Sequence, residues 1–571
     1  MMPLVEGLMP HLIIAPILFP LVMACVMLLL GERRYRLKIS LGLFAGFANL
    51  AIALALLVWA KAGQAAGSLG IYLPSNWDVP FGIVLVLDQL SALLLALAAL
   101  VGFAAYAFSM ARWHKAGSHF HPLFLVQMMG INGAFLTGDL FNLFVFFEVM
   151  LAASYGLLLH GSGRLRVRAG LHYIAINLTA SSLFLVGAAM VYGVTGTLNM
   201  ADLATRIPMI SPEDRPLFHA GCAVLGVAFL AKAAMWPLNF WLVPAYSSAS
   251  APAAAVFAML TKVGVYVVLR LYTLLFSEQA QASAGFGGDW LVWGGLLTMA
   301  FGSLGVLTAT SPGRAAAFSI TVSSGILICV VGLGVPEVTA SALYYLLGST
   351  FAVSALFLLT ELMDRVRDME AAARKQKEEE DLSRPVGYAE SRMGEDVNLD
   401  ENEEALIGRP TPGSTALLGL TFVVCTLLVA GLPPLSGFLG KFAVVSALLP
   451  IADTDFTTTP GMWTLMVMLF VSGLFALVAL TRIGIRFFWM TSERPAPLLR
   501  TIEYLPIAFL IVFCVLLTVR AEVVMKFARQ TAHSLHAPGN YTDAVLSERP
   551  RWAPTNANRL DASDQSLEEA P

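Results

Sequence analysis

Apolar runs of about twenty residues recur along most of this 571-residue chain, and no other feature restricts its fold so strongly. A helix rises 1.5 Å per residue, so each run can cross a hydrocarbon core of about 30 Å with its backbone bonded internally. With 57% hydrophobic and 13% charged residues, the chain carries about half the charge of an average soluble domain. That excludes a soluble globular protein and predicts an all-α polytopic membrane protein.

Hydropathy places about fourteen spans near 11–31, 39–60, 82–110, 121–138, 139–160, 169–194, 216–245, 252–276, 289–310, 314–334, 340–362, 414–449, 462–488 and 502–525. The N-terminal run lacks a basic leader and a small-residue cleavage site, so it reads as a retained first span. Lys and Arg gather in alternate loops: Arg33, Arg34, Arg36 and Lys38; Arg112 and Lys115; Arg164, Arg166 and Arg168; Arg314; and Arg482, Arg486, Arg494 and Arg500. By the positive-inside rule those loops face the cytoplasm and both termini face the periplasm. Five cysteines lie inside apolar runs without CxxC spacing, a pattern that predicts neither disulfides nor a zinc or iron–sulfur site. No phosphate-cradling glycine loop, HExxH or GxSxG is present, so no nucleotide, metal or other cofactor is expected.

Two polar segments interrupt the pattern. Residues 363–413 mix charges with few aromatics, which predicts a short exposed helix running into a flexible cytoplasmic linker. The tail from about 526 onward has similar composition and is expected to be disordered. Two spans carry Pro and Gly inside apolar helices, one around Pro237 and one around Pro434. Such breaks free backbone groups that protein or a water-filled cavity must satisfy, so they mark a polar path. They lie five spans apart and therefore cross in opposite directions, as the halves of an inverted-topology repeat do.

Glu148, in LFNLFVFFEVMLAASYGLLL, lies roughly nine residues into its span and about 14 Å deep. A charge there costs roughly 2.5 kcal/mol or more unless paired or hydrated, so it marks an ion or proton route; the bland alternative is a protonated structural glutamate. Lys232 precedes the first break, Lys262 sits near mid-depth in its span, and Lys441 follows the second break. Lysines out of water can exchange protons near neutral pH, and with Glu148 they make a relay; the alternative is fixed structural cations. Asp139 and Asn142 either line an entrance or cap the fifth span. Asp88 lies near a span end, where hydration is cheap, and reads as structural. His160, His172 and His219 read as interfacial packing, and Arg314 as a cytoplasmic anchor.

TGDLFNLFVFFEVMLAASYGL, FLAKAAMWPLNFWLVPAYSSASAP, LTKVGVYVVLR and AGLPPLSGFLGKF together resemble the antiporter-like subunits shared by respiratory complex I and the Mrp (also Mnh or Pha) cation/proton antiporters, over about residues 80 to 490. The resemblance implies fourteen helices, with spans 4 to 8 and 9 to 13 as inverted repeats. It also implies a proton path through Glu148, Lys232, Lys262 and Lys441. Complex I subunits usually read HxWLPDAHxxAP after the first break. Here Asn239 to Tyr246 lack that His and Asp, which favours the D-type Mrp subunit. The eleventh span has Gly348 where relatives commonly place a histidine; glycine leaves room for a water to substitute.

The organisation expected is therefore helices 1–3 over 1–120, a first repeat over 121–276, a second over 289–488 containing the 363–413 loop, and a last helix with a polar periplasmic tail over 489–571. The function expected is proton translocation in the bacterial inner membrane, coupled to Na⁺ or K⁺ export by a complex that also holds A, B, C, E, F and G subunits. Neither catalysis nor nucleic-acid binding is expected. The alternatives are a proton-pumping subunit of a complex I or hydrogenase-like enzyme, and a non-transporting scaffold.

Overall fold

The computed structural model describes residues 9–31, 34–65, 68–113, 119–383, 413–449, 459–488 and 499–550. The apolar runs fold as helices because in hydrocarbon the backbone has no partner but itself. The first six are α1 (Ala15–Leu29), α2 (Tyr35–Ala65), α3 (Gln89–Ser109), α4 (Phe120–Leu136), α5 (Leu140–Leu159) and α6 (Arg164–Thr195). A short α7 (Met200–Arg206) leads to a broken pair, α8 (Arg215–Lys232) and α9 (Leu242–Ser248). Next come α10 (Ala251–Leu275), α11 (Gly288–Thr308), α12 (Pro312–Leu333) and α13 (Pro336–Ser383). A second broken pair, α14 (Gly413–Ala430) and α15 (Ser436–Leu448), is followed by α16 (Pro460–Phe488), α17 (Thr501–Val519), α18 (Ala521–His536) and α19 (Gly539–Ser547). Eleven of the described helices are long and apolar enough to cross a membrane, and α1, α4 and α15 are shorter apolar helices.

Loops gather into two ends, and cross-element bonds identify which belong together. At the arginine-rich end, Arg166 Nε donates to Ser248 O (2.8 Å), Trp113 Nε1 to Glu361 Oε2 (2.9 Å), Arg365 to Glu503 (2.9 Å), and Arg482 to Leu307 O (2.6 Å). At the opposite end, Gly138 N donates to Val84 O (2.9 Å), Leu140 N to Leu198 O (2.9 Å), and Thr531 Oγ1 to Gln89 Oε1 (3.0 Å). The chain therefore alternates between ends as the charged loops do in the sequence.

Three helices form the centre. The most apolar stretch of α10 is 100% buried, that of α13 94% and that of α3 89%, while α2, α14, α16 and α17 show more than half of theirs, as helices facing lipid do. Without a hydrophobic drive between helices in hydrocarbon, close packing of small residues holds them together. A Cβ on Gly295 of α11 would sit 2.5 Å from Cys329 N, and one on Gly325 of α12 2.6 Å from Met299 N. One packing pattern occurs twice: Gly130 faces Met150 and Gly133 faces Phe146 across α4 and α5, and Gly302 faces Val322 and Gly305 faces Phe318 across α11 and α12, at the same sequence spacings.

Both breaks occur where expected. After α8, Ala234 takes a positive φ of 58° and the Trp236–Pro237 peptide is cis; after α14, Gly431 takes a φ of 77° and Pro433–Pro434 is cis.

Three expectations need correction. The third span begins not at 82 but at Gln89, because Leu85–Leu87 pairs with Gly70–Tyr72 as a small antiparallel ribbon and Asp88 caps the helix by accepting from Ser91 N (2.8 Å). The helix within 363–413 is no separate element: it continues α13 without interruption to Ser383, and the linker expected beyond it lies outside the described residues. The tail is ordered through Ser547. Ala528, Thr531, Ala532 and Leu535 form one buried face of α18, the i, i+3, i+4, i+7 stripe of a docked amphipathic helix, and Tyr541, Thr542 and Val545 are buried in α19. Residues 551–571 lie outside the described residues.

Gly295→Val should lower the melting temperature of the detergent-solubilised protein, since overpacking a tight contact costs about 1–3 kcal/mol. Gly193→Ala, where the added carbon meets nothing within 4 Å, should leave it unchanged.

Candidate functional site: a polar line at mid-membrane

Glu148 lies about midway along α5, and Ser181 of α6 donates its hydroxyl to Glu148 Oε1. Lys232 ends α8, where the last carbonyls favour a cation; its Nζ donates to Ser181 Oγ (3.4 Å) and lies 5.1 Å from the centroid of the Phe147 ring. One serine thus joins the carboxylate to the first lysine. Lys232 is 4% exposed, whereas Glu148 is only partly covered by its own chain.

Lys262, on the central helix α10, is 1% exposed and donates to Ser323 Oγ of α12 (2.6 Å). Ser323 Oγ lies 3.2 Å from Ser349 Oγ of α13. Ser349 in turn lines a cavity of about 30 Å³ together with Tyr345 and Lys441, room for a water molecule. Lys441, on α15, donates to Ala430 O (2.9 Å), a carbonyl freed where α14 stops. The break at Pro434 therefore provides the acceptor that holds Lys441. The break at Pro237 frees the Trp236 N–H, which donates to Thr298 Oγ1 (2.8 Å).

The four predicted residues fall into two linked sets, Glu148 with Lys232 and Lys262 with the cavity at Lys441. Among the described residues no hydrogen bond or ion pair joins Lys232 to Lys262. Their helices meet through backbone there: a Cβ on Gly264 would sit 2.7 Å from Ala233 N.

Asp139 caps α5, with Oδ1 accepting from Asn142 N (2.9 Å), and Asn142 Nδ2 donates to Thr137 Oγ1 (2.9 Å). Both sit at the end of α5 and do not touch the lysine line.

Gly348 lies on α13 next to the second broken helix. A Cβ there would meet Ser436 Oγ at 3.4 Å, an ordinary contact, so Ser436 of the broken helix lies beside this glycine, and the neighbouring Ser349 opens on the cavity.

Sequence reasoning missed Ser181, Ser323, Ser349 and Tyr345. Hydroxyls are ordinary in membrane helices, where most bond their own backbone, as Ser303 does to Met299 O (2.7 Å); only tertiary contact singles these out. Asp88, read as structural at a span end where hydration is cheap, is 7% exposed and bonded to Arg270 at 2.6 Å, a partner the sequence did not indicate. The Arg270 guanidinium lies 5.6 Å from the Tyr266 ring and 5.2 Å from the Tyr541 ring. Lys262, Tyr266 and Arg270 share one face of α10, four residues apart.

Chemically, one carboxylate and three amines bridged by hydroxyls suit proton transfer. A hard, dehydrated cation needs several oxygen ligands and would be repelled by ammonium groups.

The model of the family described as NADH:quinone oxidoreductase/Mrp antiporter, TM matches residues 137–378, which include Glu148, Lys232 and Lys262. A Rhizobium meliloti (strain 1021) protein, named as the D subunit of a probable K(+)/H(+) antiporter, is 50% identical over 542 residues, covering 94% of this chain and 98% of that protein. An Alkalihalophilus pseudofirmus protein, named as the D subunit of a Na(+)/H(+) antiporter, is 31% identical, covering 95% of this chain and 100% of its own. In the solved structure of the Mrp complex from Dietzia sp. DQ12-45-1b, one chain matches with a TM-score of 0.73 at 25% identity, covering 95% of this chain and 100% of that one. Matched nearly end to end at such identity, this chain belongs to the NADH:quinone oxidoreductase/Mrp antiporter family, among the proteins named as antiporter D subunits.

Proposed function

We propose that this chain carries protons through the bacterial cell membrane as the D subunit of a multisubunit K⁺/H⁺ or Na⁺/H⁺ antiporter. The observation that supports this most is the mid-membrane line of Glu148, Ser181 and Lys232 on one side and Lys262, Ser323, Ser349 and Lys441 on the other. Ionisable groups at that depth persist where they move charge. Two repeats, 121–276 and 289–488, each supply one broken helix to the line.

The names of the relatives favour a monovalent cation as the exchanged ion. The amines along the line argue that this cation crosses elsewhere in the complex. Glu148, partly exposed on an outer face at mid-depth, needs covering because a carboxylate facing lipid is costly; another subunit would supply that cover. The arginine-rich end faces the cytoplasm by the positive-inside rule, which sets α18 and α19 on the periplasmic side.

Glu148→Gln keeps the shape and the hydrogen bond from Ser181 but removes the titratable charge. In everted vesicles carrying the whole complex, it should reduce cation-driven collapse of the pH gradient by about tenfold or more, equivalent to a barrier raised by about 1.4 kcal/mol, with assembly unchanged. Near-normal exchange would reduce Glu148 to a structural role. A reporter active only in the cytoplasm should work when fused after Glu379 and fail when fused after Pro571; the reverse would overturn the orientation.

A further inference from the structure

We propose that Ser323 and Ser349, with the Tyr345 hydroxyl beside them, form the proton bridge between Lys262 and Lys441; this rests on the proton-carrying reading above. Lys262 belongs to the central helix α10 and Lys441 to the broken helix α15. The space between them is crossed by α12 and α13, which contribute these hydroxyls.

Three observations carry the inference. The first is how Ser323 is engaged. Ser303, Ser319 and Ser472 each donate back to a carbonyl of their own helix, the usual way a helical serine hides its hydroxyl. Ser323 instead bonds across helices, accepting from Lys262 Nζ at 2.6 Å and meeting Ser349 Oγ at 3.2 Å; Ser349 Oγ shares its hydroxyl between this contact and Leu346 O of its own helix, also at 3.2 Å. The second is continuity: Ser349 and Tyr345 open on the cavity that Lys441 also lines, and its volume of about 30 Å³ admits a water. The third is composition. Among the described residues the lining of that cavity contains no carboxylate or imidazole, so a proton passing between the lysines has hydroxyls and water to use. The Tyr345 hydroxyl stands against both serines.

The transfer balances as a chain of exchanges. The Lys262 ammonium gives a proton to Ser323 Oγ while Ser323 passes its own to Ser349 Oγ. Ser349 passes its proton to a water in the cavity, and that water passes one to the Lys441 amine. Every hydroxyl ends with the proton count it began with, Lys262 ends neutral and Lys441 ends charged. Serine does not hold a charge at ordinary pH, so no proton rests between the lysines. Transfer then requires Lys262 loaded and Lys441 empty at once, which links the second half of the line to the first.

The test uses the whole complex in everted vesicles, with Ser349→Ala, Ser349→Thr and Glu148→Gln side by side. Ser349 does not touch a lysine, so its replacement leaves both amines their partners. Ser349→Ala should slow cation-driven proton movement about tenfold or more, the scale of losing a positioned proton-transfer group, with assembly and the cation concentration for half-maximal rate unchanged. Ser349→Thr, which restores a hydroxyl, should recover most of the rate. If Ser349→Ala fails to accumulate, Ser323→Ala and Ser323→Thr are read in the same way. No loss in the alanine variant while Glu148→Gln is inactive would overturn the bridge and leave the proton-carrying function standing. A loss that threonine does not repair would overturn it as well, since packing would then be the cause. Normal rates in all the variants, Glu148→Gln included, would overturn the function itself.

Discussion

Keeping four ionisable side chains out of water is the constraint around which this structure is arranged. A lysine or glutamate at mid-bilayer costs several kcal/mol unless something replaces its water. Each group has its own replacement: Ser181 lies between Glu148 and Lys232, Ser323 receives Lys262, and the carbonyl of Ala430 receives Lys441. The helix breaks follow from this need. An unbroken α14–α15 would engage the Ala430 carbonyl in its own ladder, so the Gly431 to Pro434 interruption is what makes that acceptor available.

Tight helix packing keeps the partners within bonding distance. Glycines let α11 and α12 meet backbone to backbone, which fixes where Ser323 stands relative to Lys262. Gly264 brings α10 against the residues next to Lys232, so the central helix locates both lysines at once. At the C-terminal end, Arg270 on the same face of α10 is bonded to Asp88 of the α3 cap and enclosed by Tyr541. A buried ion pair of this kind is poor evidence of net stability, but breaking it would leave an uncompensated charge. It therefore pins α10 to α3 and to the docked tail.

The helical architecture and the four titratable residues were legible in the sequence because apolar runs and isolated charges within them are local signals. The breaks were legible for the same reason, since Pro237 and Pro434 interrupt uniform runs. The tail was misread by composition alone. AEVVMKFARQTAHSLH is polar on average, yet Ala528, Thr531, Ala532 and Leu535 carry the spacing of a buried helical stripe, a signal available without coordinates. Other features were beyond local reading. Asp88 and Arg270 are 182 residues apart, and nothing near either names its partner. Ser323 sits in TVSSG beside Ser324, and only the position of Lys262 distinguishes the two. Nothing near Gly348 in the sequence shows that Ser436 of the broken helix lies beside it.

The account depends most on Lys262, the residue through which the two halves would act as one route. Its most direct test is Lys262→Gln in the whole complex reconstituted in proteoliposomes, with proton uptake followed by a pH-sensitive dye after a cation jump. Glutamine keeps a polar donor on α10 but cannot hold and release a proton, and Glu148, Lys232 and Lys441 all remain. The account predicts that uptake falls by about tenfold or more while the complex assembles normally. Uptake at the unsubstituted rate would contradict it and show that protons cross without passing the central helix.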